Sequence, residues 1–321
     1  MPSLRRRGRG EDPEPGVARE PVVSDVPFAL GPLLRDGPTP LVDRAPASDE
    51  RLDVALVLGP GQRDAGLPRE LLAALPAEGV DVRTATGADA ASADVVLAAG
   101  WPAAPAVLML PGVRARALLA TATPAPLAEL GWTEDVPLPL LGPRWLGGTL
   151  PGGADAAYAP MPVHRREDLV LAHSEDPFGL LAAAELHARR DDLTFAVSGV
   201  RRDLDLPFEH LTVEPGADAL AHAFASATVA FAPPVRGWRP AAVAMLVCGQ
   251  AVVAPDDEAA RAALGRTASL ASGPLDAAEL AEAVIADLEL RNARARAGAA
   301  RIPVGWSATA AALADALRAL P

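Results

Sequence analysis

The sequence predicts two α/β units in series, each built on a parallel sheet, behind an unstructured amino-terminal tail. Three observations carry this. The chain has 321 residues, more than the usual domain of about 100–200 residues. Short apolar runs alternate with helical patterns, as βαβ units require. A stretch rich in Pro and Gly near the middle separates two such series.

Residues 1–50 mix Pro, Gly, Arg and acids with brief apolar pieces such as Val26-Pro-Phe-Ala-Leu. These bury too little surface to offset ordering entropy, so the segment is predicted to be disordered. Leu52-Asp-Val-Ala-Leu-Val-Leu then reads as a strand ending in Gly59-Pro-Gly, with a helix from Leu67. Strands are expected at 80–85, 94–99 and 107–110. Residues 121–162 read as turns, with short helices around Leu127 and Trp145 and the crossing between units. The second series predicts strands at 168–172, 193–199, 211–213, 228–232 and 251–254. Its helices are expected at 178–190, 217–225 and 240–248. After Ser269-Leu, one long helix is expected from Asp276 to about Gly298, capped by Asp276 with Glu279, and a last helix follows Trp306-Ser307.

Composition excludes several classes. Half the residues are hydrophobic, yet no run approaches the roughly 20 apolar residues of a membrane span. The start, Met1-Pro-Ser-Leu-Arg-Arg-Arg, is followed by Glu11, Asp12 and Glu14 where an export signal needs an apolar core. One cysteine, Cys248, allows no internal disulfide, and a cytoplasmic location is expected. A net charge of −12 disfavours nucleic acid as a partner. There is no lysine, which excludes Schiff-base chemistry and a Walker-type loop. The Ala-, Pro- and Arg-rich composition is itself best explained by a GC-rich genome.

The segment Phe231-Ala-Pro-Pro-Val-Arg-Gly-Trp-Arg-Pro-Ala-Ala-Val-Ala-Met-Leu-Val-Cys-Gly-Gln-Ala-Val-Val-Ala resembles the donor-site segment of retaining GT-B glycosyltransferases of the large family 4 class. A strand ends in a Pro-containing loop, a Gly opens a Met-bearing helix, and a Cys-Gly turn leads to a Val-rich strand. Ala93-Asp-Val-Val-Leu-Ala-Ala-Gly-Trp-Pro and Pro143-Arg-Trp-Leu resemble pieces of its polysaccharide-building, rhamnosyltransferase-like branch, and Gly305-Trp-Ser-Ala-Thr its terminal helix. The resemblance covers residues 50–321. It implies two Rossmann-like domains facing across a cleft, with a closing helix returning to the first. The expected divisions are 51–162 for the acceptor-side domain and linker, 163–304 for the nucleotide-sugar domain, and 305–321 for the closing helix.

In such a fold the nucleotide-sugar sits at the carboxyl ends of parallel strands with phosphates toward helix amino ends. The implied diphosphate site comprises Arg236, Gly237, Trp238 and Arg239, joined by His173 and Ser174. The arginines would add charge-assisted hydrogen bonds; the plain alternative is that both are solvated. Gly199, Glu214 and Gly216 are the expected base and ribose contacts. Gly59, Gly61 and Gly66 form a loop on the acceptor side, although their spacing is not the dinucleotide fingerprint and suits a structural turn equally. Trp238 is set apart from Trp101, Trp132, Trp145 and Trp306, which are expected to pack in cores or between units.

The pattern also departs from the family. If Cys248-Gly249 fixes the alignment, its two glutamates are replaced by Arg236 and Ala244, and residues 172–179 supply no Arg or Lys. Losing one such electrostatic donor can cost about 2.7–4 kcal/mol in the transition state. No catalytic residue is therefore assigned. Glu175-Asp176 and Asp256-Asp257-Glu258 are expected to be ordinary solvated acids, and the five histidines show no metal-ligand spacing. The expected function is sugar transfer from a nucleotide-sugar to a glycan or related acceptor, without cofactor or obligatory metal and with peripheral membrane association allowed. The competing expectation is a GT-B-like pseudoenzyme that binds a nucleotide or a partner protein. A nicotinamide dehydrogenase is disfavoured by the missing fingerprint.

Overall fold

The computed structural model describes residues 51–63, 65–121, 138–161, 163, 165–174, 176–199 and 205–321, all within one compact unit. The expected disordered tail, the helix near Leu127, Trp132 and Glu175 lie outside the described residues.

The first sheet comprises β1 (Leu52–Leu58), β2 (Val80–Thr84), β3 (Val95–Ala99), β4 (Ala115–Leu119) and β5 (Leu140–Leu141), in spatial order β2-β1-β3-β4-β5 with all pairings parallel. Helices α1 (Arg69–Ala74), α2 (Gly87–Ala91) and α3 (Ala104–Leu108) connect its strands. Alternate residues of β1 serve opposite faces, as strand geometry dictates. Val54 and Leu56 enter one apolar cluster, whereas Ala55 and Val57 enter another.

The second sheet comprises β6 (Leu169–His173), β7 (Thr194–Ser198), β8 (His210–Thr212), β9 (Val229–Phe231), β10 (Ala251–Pro255) and β11 (Ser269–Ala271). Its order is β11-β10-β9-β6-β7-β8, again parallel throughout. Helices α4 (Pro177–Arg189), α5 (Ala217–Ser226), α6 (Ala241–Val247), α7 (Glu258–Leu264), α8 (Pro274–Ala286), α9 (Leu288–Arg301) and α10 (Ser307–Arg318) complete it. Apart from the exposed edge strand β8, the strands are mainly apolar because both faces are covered.

Several expectations are corrected. Residues 107–110, expected as a strand, belong to and follow α3, and the fourth strand is Ala115–Leu119. Its Arg116 had disguised it. The guanidinium is accommodated by donating to the carbonyls of Val107 at 3.2 Å and Leu110 at 2.6 Å. The Pro-rich stretch contributes β5, whose two residues sit at an edge where flanking prolines are tolerated. The long helix after β11 is two helices. α8 starts after Gly273, not at Asp276, whose carboxylate instead accepts from Ser272. Asp287 breaks the run and caps α9 by accepting from Leu290 N at 2.9 Å.

The closing helix α10 packs on α1 and on the 310 turn Leu75–Glu78 of the first half. Arg318 donates to Glu78 O there. One apolar cluster is continuous across the halves, from Val54 and Leu97 through Trp145 and Trp238 to Leu171 and Leu246. Among the described residues no helix is long and apolar enough to cross a membrane.

Candidate functional site

Each sheet has a topological switch point, where successive strands diverge to opposite sides and their carboxyl-end loops leave a crevice for ligands. In the first sheet it lies between β1 and β3, and in the second between β6 and β9. All the expected site residues but Glu214 and Gly216 fall at the carboxyl ends of strands at or next to these points, or on the loops that follow.

At the second switch point, β6 ends in His173, which pairs in register with Ser198 of β7. Ser174 N donates to Ser198 O at 2.8 Å. Gly199 follows with φ +80°, and a Cβ there would lie 2.9 Å from His173 Cε1 and 3.2 Å from Ser174 Oγ. These three residues are thus brought together, and glycine is required at 199 for both backbone and space. Asp176 is 6% exposed and caps α4, accepting from Phe178 N at 3.3 Å and Gly179 N at 3.1 Å. Its carboxylate is committed to the helix.

Glu214 and Gly216 follow the edge strand β8, two strands and roughly 10 Å from β6. Glu214 is exposed. Gly216 is extended at φ 165° with open space beside it, so its identity answers no local demand.

The loop after β9 crosses the cleft. Gly237 adopts φ +64°, and its carbonyl accepts from Trp145 Nε1 at 2.9 Å. Trp238 is 1% exposed; its Nε1 donates to Ala120 O, just beyond β4, and its ring lies 6.4 Å from that of Trp306. Arg239 faces Asp155 at 3.5 Å, while Trp306 Nε1 donates to the other oxygen of Asp155 at 2.8 Å. The loop therefore fastens the carboxyl end of the second sheet to the first half. Trp238 and the Gly237 carbonyl are engaged in that junction. Arg236 is exposed and makes no ion pair or hydrogen bond with the described residues.

Helix α6 begins at Ala241 after Pro240, later than a helix opened by Gly237 would. The amides of Ala241 and Ala242 are the donors its first turn cannot satisfy internally. Ala244 lies buried within α6 and Arg236 is exposed on the loop before it, so neither position presents a carboxylate. Asp155 was invisible in the sequence, since nothing near it repeats or matches a pattern. Trp145 and Trp306 carried the only signal, as large residues in loops.

In the first half, Gly59 meets the turn after β3: a Cβ would lie 2.7 Å from that of Pro102. Its amide donates to Gln62 Oε1 at 2.6 Å. The close approach made there is to the chain itself. Gly61 and Gly66 have φ +77° and +66° with open space around them, as turn residues do.

Two of the three acids at 256–258 have local partners. Asp256 pairs with Arg261 at 2.7 Å, which holds its carboxyl below the usual range, and Asp257 caps α7 through Ala260 N at 2.7 Å. Among the described residues no three His, Cys, Asp or Glu side chains converge as a metal site. Burial pushes the Cys248 thiol up to about 12. A hollow of about 340 Å³ lined by Arg83, Thr84, Thr86, Asp89 and Ser92 opens beyond β2, not at either switch point.

No family model matches the chain, and no curated protein does. Solved structures do. Sucrose-phosphate synthase from Thermosynechococcus elongatus superposes with TM-score 0.58 at 14% identity, over 84% of this chain and 98% of that one. HepE of Anabaena, determined with UDP-glucose, gives 0.53 at 12% identity over 83% and 98%. AviGT4, a glycosyltransferase of avilamycin A biosynthesis, gives 0.52 at 18% identity over 83% and 97%. With two parallel sheets, opposed carboxyl ends and a returning terminal helix, the chain has the GT-B fold of these proteins.

Proposed function

We propose that this protein is a glycosyltransferase that moves a sugar from a nucleotide-sugar to a glycan or related acceptor, with retention of configuration. The observation that carries the reading is the second switch point, where His173, Ser174 and Gly199 meet at the carboxyl end of β6, the strand paired with β9, whose following loop bears Arg236 and Arg239. The likeness to a protein crystallised with UDP-glucose supports a nucleotide-sugar as the donor. The donor domain is taken as 163–304 and the acceptor side as 51–162.

In this reading the diphosphate lies against the amides of Ala241 and Ala242, with Arg236, His173 and Ser174 around it. Arg236 supplies positive charge to the departing nucleotide, in a position where the family carries a carboxylate. Arg239 can join it by leaving Asp155. Their contact is long and Arg239 is 53% exposed, so it is worth about 0–1 kcal/mol. A hydrogen bond to a charged phosphate is worth about 1.5–3 kcal/mol, and the exchange is favourable. Glu214 and the Gly216 backbone face the ribose and base. No side chain is assigned as base or nucleophile. With this reading we propose a cytoplasmic location and a role in polysaccharide assembly, with peripheral membrane association allowed.

Release of nucleoside diphosphate from a panel of activated sugars tests it. Turnover that falls tenfold or more in Arg236→Ala is the expected result. Diphosphate binding without turnover on any acceptor would indicate a pseudoenzyme, and absence of binding would remove the reading. Arg239→Ala should weaken nucleoside diphosphate binding about tenfold to hundredfold while sparing the nucleoside.

A further inference from the structure

The open edge of the first sheet carries a polar hollow that the donor site does not use. β2 pairs on one side only, with β1. Beside it and α2 lies a space of about 340 Å³ lined by Arg83, Thr84, Ala85, Thr86, Asp89 and Ser92. Ala85 is the one apolar residue of that set; Thr84, Thr86, Asp89 and Ser92 are exposed and Arg83 is partly buried. The Arg83 Nε donates to Asp53 Oδ1 at 3.1 Å, and its Nη2 donates to Asp53 Oδ2 at 3.1 Å, Asp89 O at 2.9 Å and Ser92 Oγ at 3.2 Å. Ser92 Oγ donates in turn to Asp89 O at 2.9 Å. α2 is thereby tied to β2, and the wall is fixed before any ligand arrives. Without a partner among the described residues remain Arg83 Nη1, a donor, the hydroxyls of Thr84 and Thr86, which do both, and the Asp89 carboxylate, an acceptor.

Size and chemistry select the occupant. Ligand pockets start at about 300 Å³, so this one takes a single small ring. Walls with one apolar residue give little hydrophobic gain to a lipid chain or a nucleobase. An anion is disfavoured, because Asp53 already matches the Arg83 charge at 3.1 Å and Asp89 repels a second negative group. A cation meets the guanidinium. A neutral ring with adjacent hydroxyls satisfies both kinds of partner, since each hydroxyl gives and accepts. We propose that the hollow binds one unit of a neutral carbohydrate, with Asp89 accepting from adjacent hydroxyls and Arg83 Nη1 donating to them. Neighbouring strands lie about 4.8 Å apart, and β2 adjoins β1, whose following loop holds Gly59, Gly61 and Gly66. Resting on the transferase reading above, the acceptor is then a chain of sugars: its end lies at the first switch point and a more distant unit is held at 83–92.

Saturation-transfer NMR of the full chain with neutral gluco-, galacto-, manno- and 6-deoxyhexo-trisaccharides tests this, with calorimetry of nucleoside diphosphate on the same samples. At least one trisaccharide should bind saturably. Its affinity should fall about tenfold or more in Asp89→Ala, which removes a charged acceptor but keeps the backbone carbonyl that Arg83 uses. Thr84→Leu, at an exposed position, should fill the hollow and weaken binding similarly. Both variants should bind nucleoside diphosphate as the parent does, and the sugar response should persist in Arg236→Ala/Arg239→Ala. No response to any neutral trisaccharide, a response unchanged in Asp89→Ala and Thr84→Leu, or an equal response to a uronic-acid trisaccharide would each overturn the assignment. Sugar binding that these variants abolish, in a chain that binds no nucleoside diphosphate, would uphold the hollow as a carbohydrate site and remove the transferase reading; diphosphate binding without a sugar response would do the reverse.

Discussion

Replacing Trp238 by Phe probes the junction between the two sheets. The indole N–H is the donor to Ala120 O, and Ala120 is only 4% exposed. Phenyl keeps most of the apolar contact but offers no donor. An orphaned buried carbonyl costs about 1–3 kcal/mol, and the missing ring atoms add about 1 kcal/mol of lost transfer energy. The expected loss is therefore about 2–4 kcal/mol, or roughly 5–15 °C in Tm for a folded region of this size. Trp145→Phe is the internal control. Its acceptor, Gly237 O, belongs to a residue that is only partly buried, so water can replace the lost donor and the loss should be about 0.5–1.5 kcal/mol plus the same ring term. Urea unfolding followed by far-UV circular dichroism measures both without relying on tryptophan emission. A Trp238→Phe loss no larger than that of Trp145→Phe would refute the idea that this bond secures the halves.

Three further outcomes are expected. Gly199→Ala places a Cβ against His173 in a left-handed backbone, so it should destabilise by about 1–3 kcal/mol in denaturant unfolding, and a neutral result would mean the turn is not held. Cys248, with its thiol pushed up to about 12 by burial, should resist a thiol reagent at pH 8 in the native protein and react once unfolded; fast native labelling would contradict its placement. Asp168 is held below the usual carboxylate range chiefly by Arg166, at 2.7 Å, and then by Thr194. A lowered folded value stabilises above the unfolded pKa of about 3.9 and fades as pH falls through the folded one, so Asp168→Asn should narrow its stability deficit relative to the parent below about pH 4, and a pH-independent deficit would count against the pair.

The central strands were legible because β1 from Val54 onward, β3, β6 as far as Ala172, and β10 carry runs of four or more apolar residues buried on both faces. β4 was not, because Arg116 interrupts it and finds its acceptors only in the fold. β5 was hidden by prolines that an edge tolerates. The break between α8 and α9 turns on Asp287, one of many acids and indistinguishable in sequence from a solvated one. At the site, the meeting of His173, Ser174 and Gly199 follows from the parallel register and could be anticipated. The engagement of Trp238 with Ala120 and of Arg239 with Asp155 could not, since each joins residues 80 or more apart through tertiary packing alone.

Hydrogen exchange of the full chain with saturating nucleoside diphosphate tests the placement of the donor most directly. The account predicts added protection at 173–174, 199 and 236–242, with little change at 83–92. Protection confined to 83–92, or none at the loops of the second switch point, would contradict it.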